Sequence, residues 1–453
     1  MLRRLLYRNF RIIYRFDNWA RNRFTPMGAL LTGGLIGSGI FSVDTRQSLA
    51  FQIFSFLLAL LLLAFFHLLS FRGRFRVRRV LPEYATIRQP VQYKVIVENL
   101  GQNQQRDLEL YDELQASLPA FTEFAATADP RDRSRNWFDR VIGYPRLINL
   151  MRKKRGASIA PVAIGPLPGH DRNEVMLELM PHRRGYIHFV RTRIARPDPL
   201  GLLRAMKTSN TQDALLVLPR TYVLPPVQLA GRRKYQHGGM NQASAVGDAQ
   251  EFMSLRDYQP GDPLRAIHWR SFAKTGHPVV KEYQDEFFVR QGLLLDTFIE
   301  DQPATVFEEA VSLAASFVVT DQPQDALLDL MFVGTESYRF TTGRGLSHME
   351  NMLEILACVE PCRQAVFSRL LELVLRHAYE ASGIICILLD WDSKRQELIR
   401  RITSLDIPVV VLLIAGETGE TSYDTTALGT YAGNFRVLRT GDIQSQLNQI
   451  GHL

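Results

Sequence analysis

Cysteine is scarce in this chain: Cys358, Cys362 and Cys386 are the only three among 453 residues. That excludes a disulfide scaffold and suits a reducing compartment, where thiols serve as small apolar side chains. Cys358 and Cys362 stand four apart with no neighbouring histidine to complete a tetrahedral zinc set, so they read as packing residues. Lysine is absent from the first 80 residues, which carry thirteen arginines against Asp17 and Asp44. The remainder holds 41 basic and 44 acidic side chains, so the net charge of +8 belongs to one end of the chain. A nucleic-acid-binding face is thereby excluded as the main reading. G-x-G-x-x-G, G-x-x-x-x-G-K-[ST] and H-E-x-x-H are all missing. With them go the common nucleotide loops and the zinc-protease helix.

Long apolar runs occur only near the start. The first spans Met27–Val43 and the second Leu49–Phe71, separated by Asp44, Thr45 and Arg46. The second contains FLLALLLLAFFHLL and can cross a hydrocarbon core of about 30 Å. Together they predict a two-helix transmembrane hairpin over 27–71. Gly33 and Gly37, spaced G-x-x-x-G, suit close approach to the partner helix. Seven arginines precede the first run, and Arg72, Arg74, Arg76, Arg78 and Arg79 follow the second. That bias keeps both flanks, and hence both termini and the bulk of the chain, on the cytoplasmic face. Residues 1–26 form a basic N-terminal segment in which Arg3, Arg4, Arg8, Arg11 and Arg15 gather on one side of a helix. Leu2, Leu5, Leu6, Ile12, Ile13 and Phe16 supply apolar surface, so an interfacial helix in the headgroup layer and an irregular basic tail are both open readings.

Residues 72–210 carry alternating, strand-like segments at Tyr93–Glu98, Asp107–Tyr111, Val175–Leu179 and Tyr186–Ile194, which predict a small antiparallel sandwich. Residues 127–160 interrupt them with a basic insertion (Arg131, Arg133, Arg135, Arg152, Lys153, Lys154, Arg155) that lacks clear periodicity and reads as a solvated loop. Residues 211–290 connect to a region of different character. Over 291–453, continuous apolar strands at Gly292–Asp296, Ala326–Val333, Gly383–Asp390 and Ile407–Ile414 alternate with helical segments at Phe307–Val319, Leu346–Val359, Ala365–Tyr379 and Lys394–Leu405. That alternation predicts a doubly wound α/β sheet. The expected fold class is thus a membrane-anchored α+β chain with a helical hairpin, a sandwich-like domain and a terminal α/β domain.

The most distinctive stretch is Gly247–Glu286. It contains E-F-M-S-L-R-D-Y-Q-P-G-D-P-L-R-A-I-H-W-R-S-F-A-K and then P-V-V-K-E-Y-Q-D-E. Pro260-Gly261 is a type II turn pair, Asp262 is placed to cap a following helix, and Pro263 suits its first position. On that helix Arg265 and Trp269 share one face, Arg270 and Lys274 another. Val279–Tyr283 reads as a strand entering the α/β domain. These residues resemble the signature of the bacterial domain of unknown function 58, as do Arg184-Gly-Tyr186 and Asp198-Pro-Leu-Gly-Leu202 with Arg204 upstream. The resemblance implies an inner-membrane protein working beside MoxR-type AAA+ ATPases and other von Willebrand factor A proteins. It also implies that the terminal domain is a degenerate von Willebrand factor A domain. In such a domain the ion motif D-x-S-x-S would fall at Asp296-Thr-Phe298-Ile-Glu300, with both serines replaced, and Asp390 would match a distal aspartate. Losing two hydroxyl ligands removes much of an octahedral oxygen cage, so no metal or cofactor is the expectation, with Asp296, Glu300 and Asp390 as degenerate candidates.

No paired nucleophile motif accompanies the titratable residues Asp257, Asp262, Arg265, His268 and Lys274. The expected role is therefore non-catalytic: a membrane-tethered adaptor docking a MoxR-type ATPase. Arg256, Asp257, Tyr258, Pro260, Gly261, Asp262, Arg265, His268, Trp269 and Lys274 act as structural or partner-binding residues in this reading, with Trp269 packing where two domains meet. Two alternatives stand beside it: a divalent-ion-dependent binding module using Asp296 and Asp390, and a hydrolase around Asp262 and His268.

Overall fold

A strand that alternates apolar and polar residues can bury only one face, so several of them must stack face to face. Strands that are apolar throughout need cover on both faces. The computed structural model contains both solutions, in two compact units, Met1–Arg220 and Thr221–Leu453. It describes residues 2–41, 48–115, 118–126, 136, 144–226, 251–260, 262, 264, 267–284, 289–300, 302–320, 326–342, 346–363, 366–416 and 423–451.

The first unit begins with helices α1 (Leu2–Arg23), α2 (Pro26–Phe41) and α3 (Ser48–Leu69). Ten strands follow: β1 (Phe75–Val80), β2 (Tyr84–Thr86), β3 (Val91–Asn99), β4 (Leu108–Leu114), β5 (Ala157–Ile159), β6 (Val162–Ile164), β7 (Arg172–Pro181), β8 (Gly185–Pro197), β9 (Arg204–Ser209) and β10 (Asp213–Leu218). One sheet has the order β1-β3-β7-β5; the other has β2-β10-β8-β4-β6, with β9 also paired to β8. Tyr93, Val95, Val97, Leu177 and Leu179 of the first sheet share a core with Leu110, Ile187, Phe189, Leu215 and Val217 of the second. Arg79 on β1 joins the sheets from inside. Its buried guanidinium donates to both oxygens of Asp112 on β4 at 2.9 and 2.6 Å, and reaches Asp213 on β10. Tyr93 donates to Asp112 at 2.8 Å, and the Phe189 ring lies 4.4 Å beneath the guanidinium.

Within the basic insertion, residues 127–135, which include Arg131, Arg133 and Arg135, lie outside the described residues. The part expected to be an irregular loop contains helix α5 (Tyr144–Arg155), while α4 (Phe121–Ala126) lies just before it. Leu147, Leu150 and Met151 of α5 join Phe124 of α4 and Phe10 of α1 in a separate small core. Leu147, Leu150 and Met151 have the i, i+3, i+4 spacing of one helix face, but it lasts about a turn inside a long basic segment and is easily passed over.

Among the described residues one helix is long and apolar enough to cross a membrane, the 21 residues Leu49–Leu69 of α3. α2 is 16 residues, about 24 Å at 1.5 Å per residue. The two pack together, but through different glycines from those expected. A Cβ at Gly39 would lie 3.3 Å from the Phe54 ring and one at Gly34 3.5 Å from Leu57, whereas Gly33 and Gly37 face open space. The cause is Gly28, which sits so close to Leu202 that a Cβ would fall 1.9 Å from its carbonyl oxygen. That docking sets the rotation of α2. At about 100° per residue Gly39 is on the same side as Gly28, while Gly37 is on the opposite side.

Leu202 belongs to the loop Asp198–Leu203 between β8 and β9, where the buried Asp198 carboxylate accepts the N–H groups of Leu200, Leu202 and Leu203 at 2.9, 2.7 and 2.6 Å. Gly201, at φ 66°, supplies the left-handed turn. The loop's carbonyls face outward to the start of α2: Thr25 donates its N–H to Leu202 at 3.0 Å and its hydroxyl to Gly201 at 2.6 Å. Leu202 and Leu203 then pack on Ala64, Leu60, Leu61 and Leu68 of α3. The D-P-L-G-L element is a mortise for the two apolar helices. Asp198→Ala strands two buried donors and one partly buried one and should lower stability by about 3 kcal/mol, read as the melting temperature of the full chain in detergent.

The second unit holds a two-stranded sheet, β11 (Glu251–Asp257) with β12 (Val279–Gln284), joined through helix α6 (Trp269–Thr275). Its main sheet comprises β13 (Val289–Leu295), β14 (Ala326–Val333), β15 (Ser337–Thr342), β16 (Gly383–Leu388), β17 (Val409–Ala415) and β18 (Phe435–Arg439), in the order β15-β14-β13-β16-β17-β18. All neighbours are parallel except the edge strand β15. Helices α7 (Ala304–Val319), α8 (Leu346–Cys358), α9 (Ser368–Ala378), α10 (Ser393–Ser404) and α11 (Ile443–Gln449) lie between or after the strands. Every residue of β16 and β17 is buried, which explains their unbroken apolar sequence.

Candidate functional site

The signature runs through β11, α6 and β12. Of its residues, Gly261, Pro263 and Arg265 lie outside the described residues. Arg256 near the end of β11 holds Asp262 in a bidentate pair at 2.7 and 2.7 Å, and the N–H of Gln259 adds a third donor at 2.9 Å. The Arg256 guanidinium holds the Asp262 carboxyl below its usual value. The excursion is tied back to β12 by Tyr258 N–H to the Pro278 carbonyl at 2.9 Å and His268 N–H to the Val279 carbonyl at 2.8 Å.

Two expectations change here. Asp262 closes the turn instead of capping the helix: α6 begins at Trp269, with His268 as its N-cap residue. A guanidinium offers two aligned charged donors, where a helix start offers one neutral N–H. Among the described residues the strand at Val279–Gln284 pairs with β11, with one further bridge from Val280 to Ile267, and does not enter the main sheet. Gly276, at φ 71°, ends α6 and turns the chain into it.

His268 and Asp262 take different partners. The His268 Nδ1 lies 2.7 Å from the Ser271 hydroxyl, while both Asp262 oxygens are taken by Arg256. The carboxylate that a hydrolase reading needs to orient this imidazole is therefore engaged elsewhere. Trp269, expected to pack between domains, is 61% exposed, Leu264 is 66% exposed, and Phe272 stands edge-on to Trp269 at 6.0 Å. Asp257, Arg270 and Lys274 are exposed as well. The hairpin thus shows aromatic and cationic side chains, with the Asp257 carboxylate among them, on a tied base.

The degenerate ion motif lies at the end of β13. Asp296 is fully buried and its oxygens accept from Phe298 N–H at 2.9 Å, Leu389 N–H at 3.2 Å and Arg395 Nε at 2.6 Å. Arg395, in the first turn of α10, is itself buried; it also donates to the Phe298 carbonyl at 3.0 Å and pairs with Asp392 at 3.1 Å. A guanidinium therefore occupies the position beside Asp296 that a bound cation would need. The other two candidates have partners too: Glu300 pairs with Lys394 at 3.2 Å, and Asp390 accepts from Gln302 and from Trp391 N–H, each at 2.7 Å. Among the described residues no group of three or more His, Cys, Asp or Glu side chains is arranged to hold a metal ion. Burial pushes the Asp296 carboxyl up and Arg395 opposes it.

Arg395 was not singled out in the sequence. The aspartate it neutralises lies 99 positions away, and the only local signal is Asp392, whose carboxylate caps α10 through Arg395 N–H at 2.9 Å. A second ionic cluster also went unread: Arg290 on β13 and Arg339 on β15 share buried Asp329 of β14 and the more open Glu380. Arg395→Ala should lower the stability of the full chain to urea by about 3–5 kcal/mol, because it leaves the buried Asp296 without its counter-charge. Arg395→Met combined with Asp296→Asn should recover most of that loss.

The comparisons with known proteins agree with the position of the signature. Residues 254–407 match the model of the family described as protein of unknown function DUF58. An uncharacterised protein, YeaD, of Bacillus subtilis (strain 168) is 30% identical over 176 residues, which are 38% of this chain and 42% of that relative. The chain thus spans less than half the length of the curated relative it matches. Solved structures give weaker likenesses. The manganese-loaded TRAP protein of Plasmodium vivax has 12% identity and a TM-score of 0.25, over 35% of this chain and 72% of that one. A CARDB domain of Pyrococcus furiosus, solved in complex with di-metal ions, has 10% identity and a TM-score of 0.17, over 32% and 93%. Scores this low carry no argument about fold or ligand. The matched residues take in most of the signature hairpin and the strands and helices that follow, so over about a third of its length the chain is similar to the DUF58 family, protein of unknown function.

Proposed function

We propose that the chain is a non-catalytic, membrane-tethered adaptor that docks a MoxR-type AAA+ ATPase on the cytoplasmic face. The observation that carries this reading is the hairpin surface. Its carboxylate Asp262 is spent on closing the turn, while Trp269, Phe272, Arg270 and Lys274 stand along a short helix whose start is tied to β12 through the His268 N–H. A rigid aromatic–cationic surface buries area on a partner at low entropic cost, and Trp and Arg dominate such energetics.

The tether is α3, with α2 packed on it as the other arm of a hairpin. In this reading both cross the inner membrane, and the arginines before α2 and after α3 keep both termini on the cytoplasmic side. The identity of the partner comes from the resemblance to the family, and other von Willebrand factor A proteins would join the same assembly. The hairpin surface supports the docking part of the reading independently of that resemblance.

The test is affinity capture of the detergent-solubilised full chain from its native cells, for wild type and for Trp269→Ala/Phe272→Ala. Both side chains are outside the core, so the two proteins should melt together. Recovery of an AAA+ ATPase by wild type, reduced at least about tenfold in the double variant, is the expected outcome, two removed anchors being worth more than about 1.4 kcal/mol. Recovery by neither protein would remove the adaptor reading.

A further inference from the structure

α1 is amphipathic on two opposite sides, and only one of them is covered. Tyr7, Phe10 and Tyr14 face the small core made by Phe124, Leu147, Leu150 and Met151. The Phe10 ring stands 6.3 Å from Phe124 and 5.5 Å from Tyr144. At about 100° per residue, Ile12, Phe16 and Trp19 form a strip about 60° wide on the opposite side. These three are 64%, 66% and 52% exposed. Positions 4, 8, 11 and 15, all arginine, occupy the adjoining arc of about 60°. An exposed apolar strip bordered by a row of arginines is the pattern of a helix lying in a bilayer interface.

The structure also says what lies beside that strip. Trp19 meets Phe16 at 5.8 Å and Phe24 at 6.1 Å, and Phe24 bridges to Leu203. Leu203 and Leu202 in turn pack on Ala64 and Leu68, in the last turns of α3. The end of α1, the start of α2 and the end of α3 therefore meet at one level. If α3 crosses the bilayer, that level is the headgroup layer. The covered side of α1, clamped by α4 and α5, settles which side is left for lipid.

We propose that α1 lies in the plane of the membrane, with Ile12, Phe16 and Trp19 inserted and its arginine row selecting anionic headgroups. This rests on the membrane anchoring proposed above and adds a lipid-dependent foothold to it. An apolar strip immersed at headgroup depth gains from burial of its side chains, and each arginine adds attraction to an anionic leaflet. Clamped between lipid and the α4–α5 core, α1 fixes the depth at which the first unit sits.

The experiment uses the full chain reconstituted into phosphatidylcholine vesicles, with or without phosphatidylglycerol, each carrying brominated acyl chains. Alkaline extraction comes first: a chain released from the vesicles overturns the anchoring and, with it, this inference. For a retained chain, the Trp19 signal is the difference between wild type and Trp19→Phe. The expected result is bromine quenching of Trp19, about twofold stronger with phosphatidylglycerol present. Ile12→Ser/Phe16→Ser should abolish that quenching without changing the melting temperature, since neither side chain belongs to the α1–α5 core. Arg11→Gln/Arg15→Gln should abolish the difference between the two lipids. A retained chain whose Trp19 is unquenched overturns the inference and leaves the anchor standing. Trp19 that is shielded from water yet unquenched does the same, and assigns the strip to a protein partner. Equal quenching in both lipids overturns the anionic selectivity.

Discussion

A carboxylate removed from water has to be met by donors of the chain, and four such carboxylates hold the architecture together. Asp112 takes the guanidinium of Arg79 and thereby staples the two sheets of the first unit. Asp198 gathers three backbone N–H groups into a loop that receives the apolar helices. In the second unit, Asp329 is shared by Arg290 and Arg339 at one edge of the main sheet, and Asp296 is closed by Arg395. Breaking any of them leaves a buried charge or a set of buried donors without partners, which costs more than the interaction itself contributes.

The same constraint separates structure from function in the signature. Asp262, an acid–base candidate in a linear reading, is satisfied by Arg256 across a turn. Once they are paired, the apolar and cationic Leu264, Trp269, Arg270, Phe272 and Lys274 remain outward, with Asp257 beside them. A helix of seven residues has little stability of its own, so its ties to β12 and the left-handed Gly276 are what keep this surface in place.

In the first unit the motif D-P-L-G-L does mechanical work. Its carbonyls receive Thr25, its leucines receive α3, and Gly28 is required because no side chain fits against Leu202. Any force on the apolar helices therefore passes directly into β8 and β9. Helix α1, continuous with this joint through Phe24, inherits its position from the same loop.

Much of this was legible in the amino-acid order because apolar periodicity is a local property. The strand expected at Ala326–Val333 has those bounds in the structure; the helix expected at Phe307–Val319 starts three residues after α7 and ends with it, and the one expected at Lys394–Leu405 is one residue off α10 at each end. Continuous apolar runs announced the buried strands, alternation announced the half-buried ones, and run length announced α3. Helix α5 escaped because its three core residues are diluted by basic neighbours. The partners of the polar residues escaped for a different reason. Arg395 and Asp296 lie 99 positions apart, Arg79 and Asp112 lie 33 apart, and nothing local states that they meet. The chain by itself determined where it is helical, extended or apolar, since those depend on neighbours within a turn or a pleat. Only the tertiary structure decided which charges are spent internally and which side chains remain for a partner, because pairing depends on the distances that folding creates.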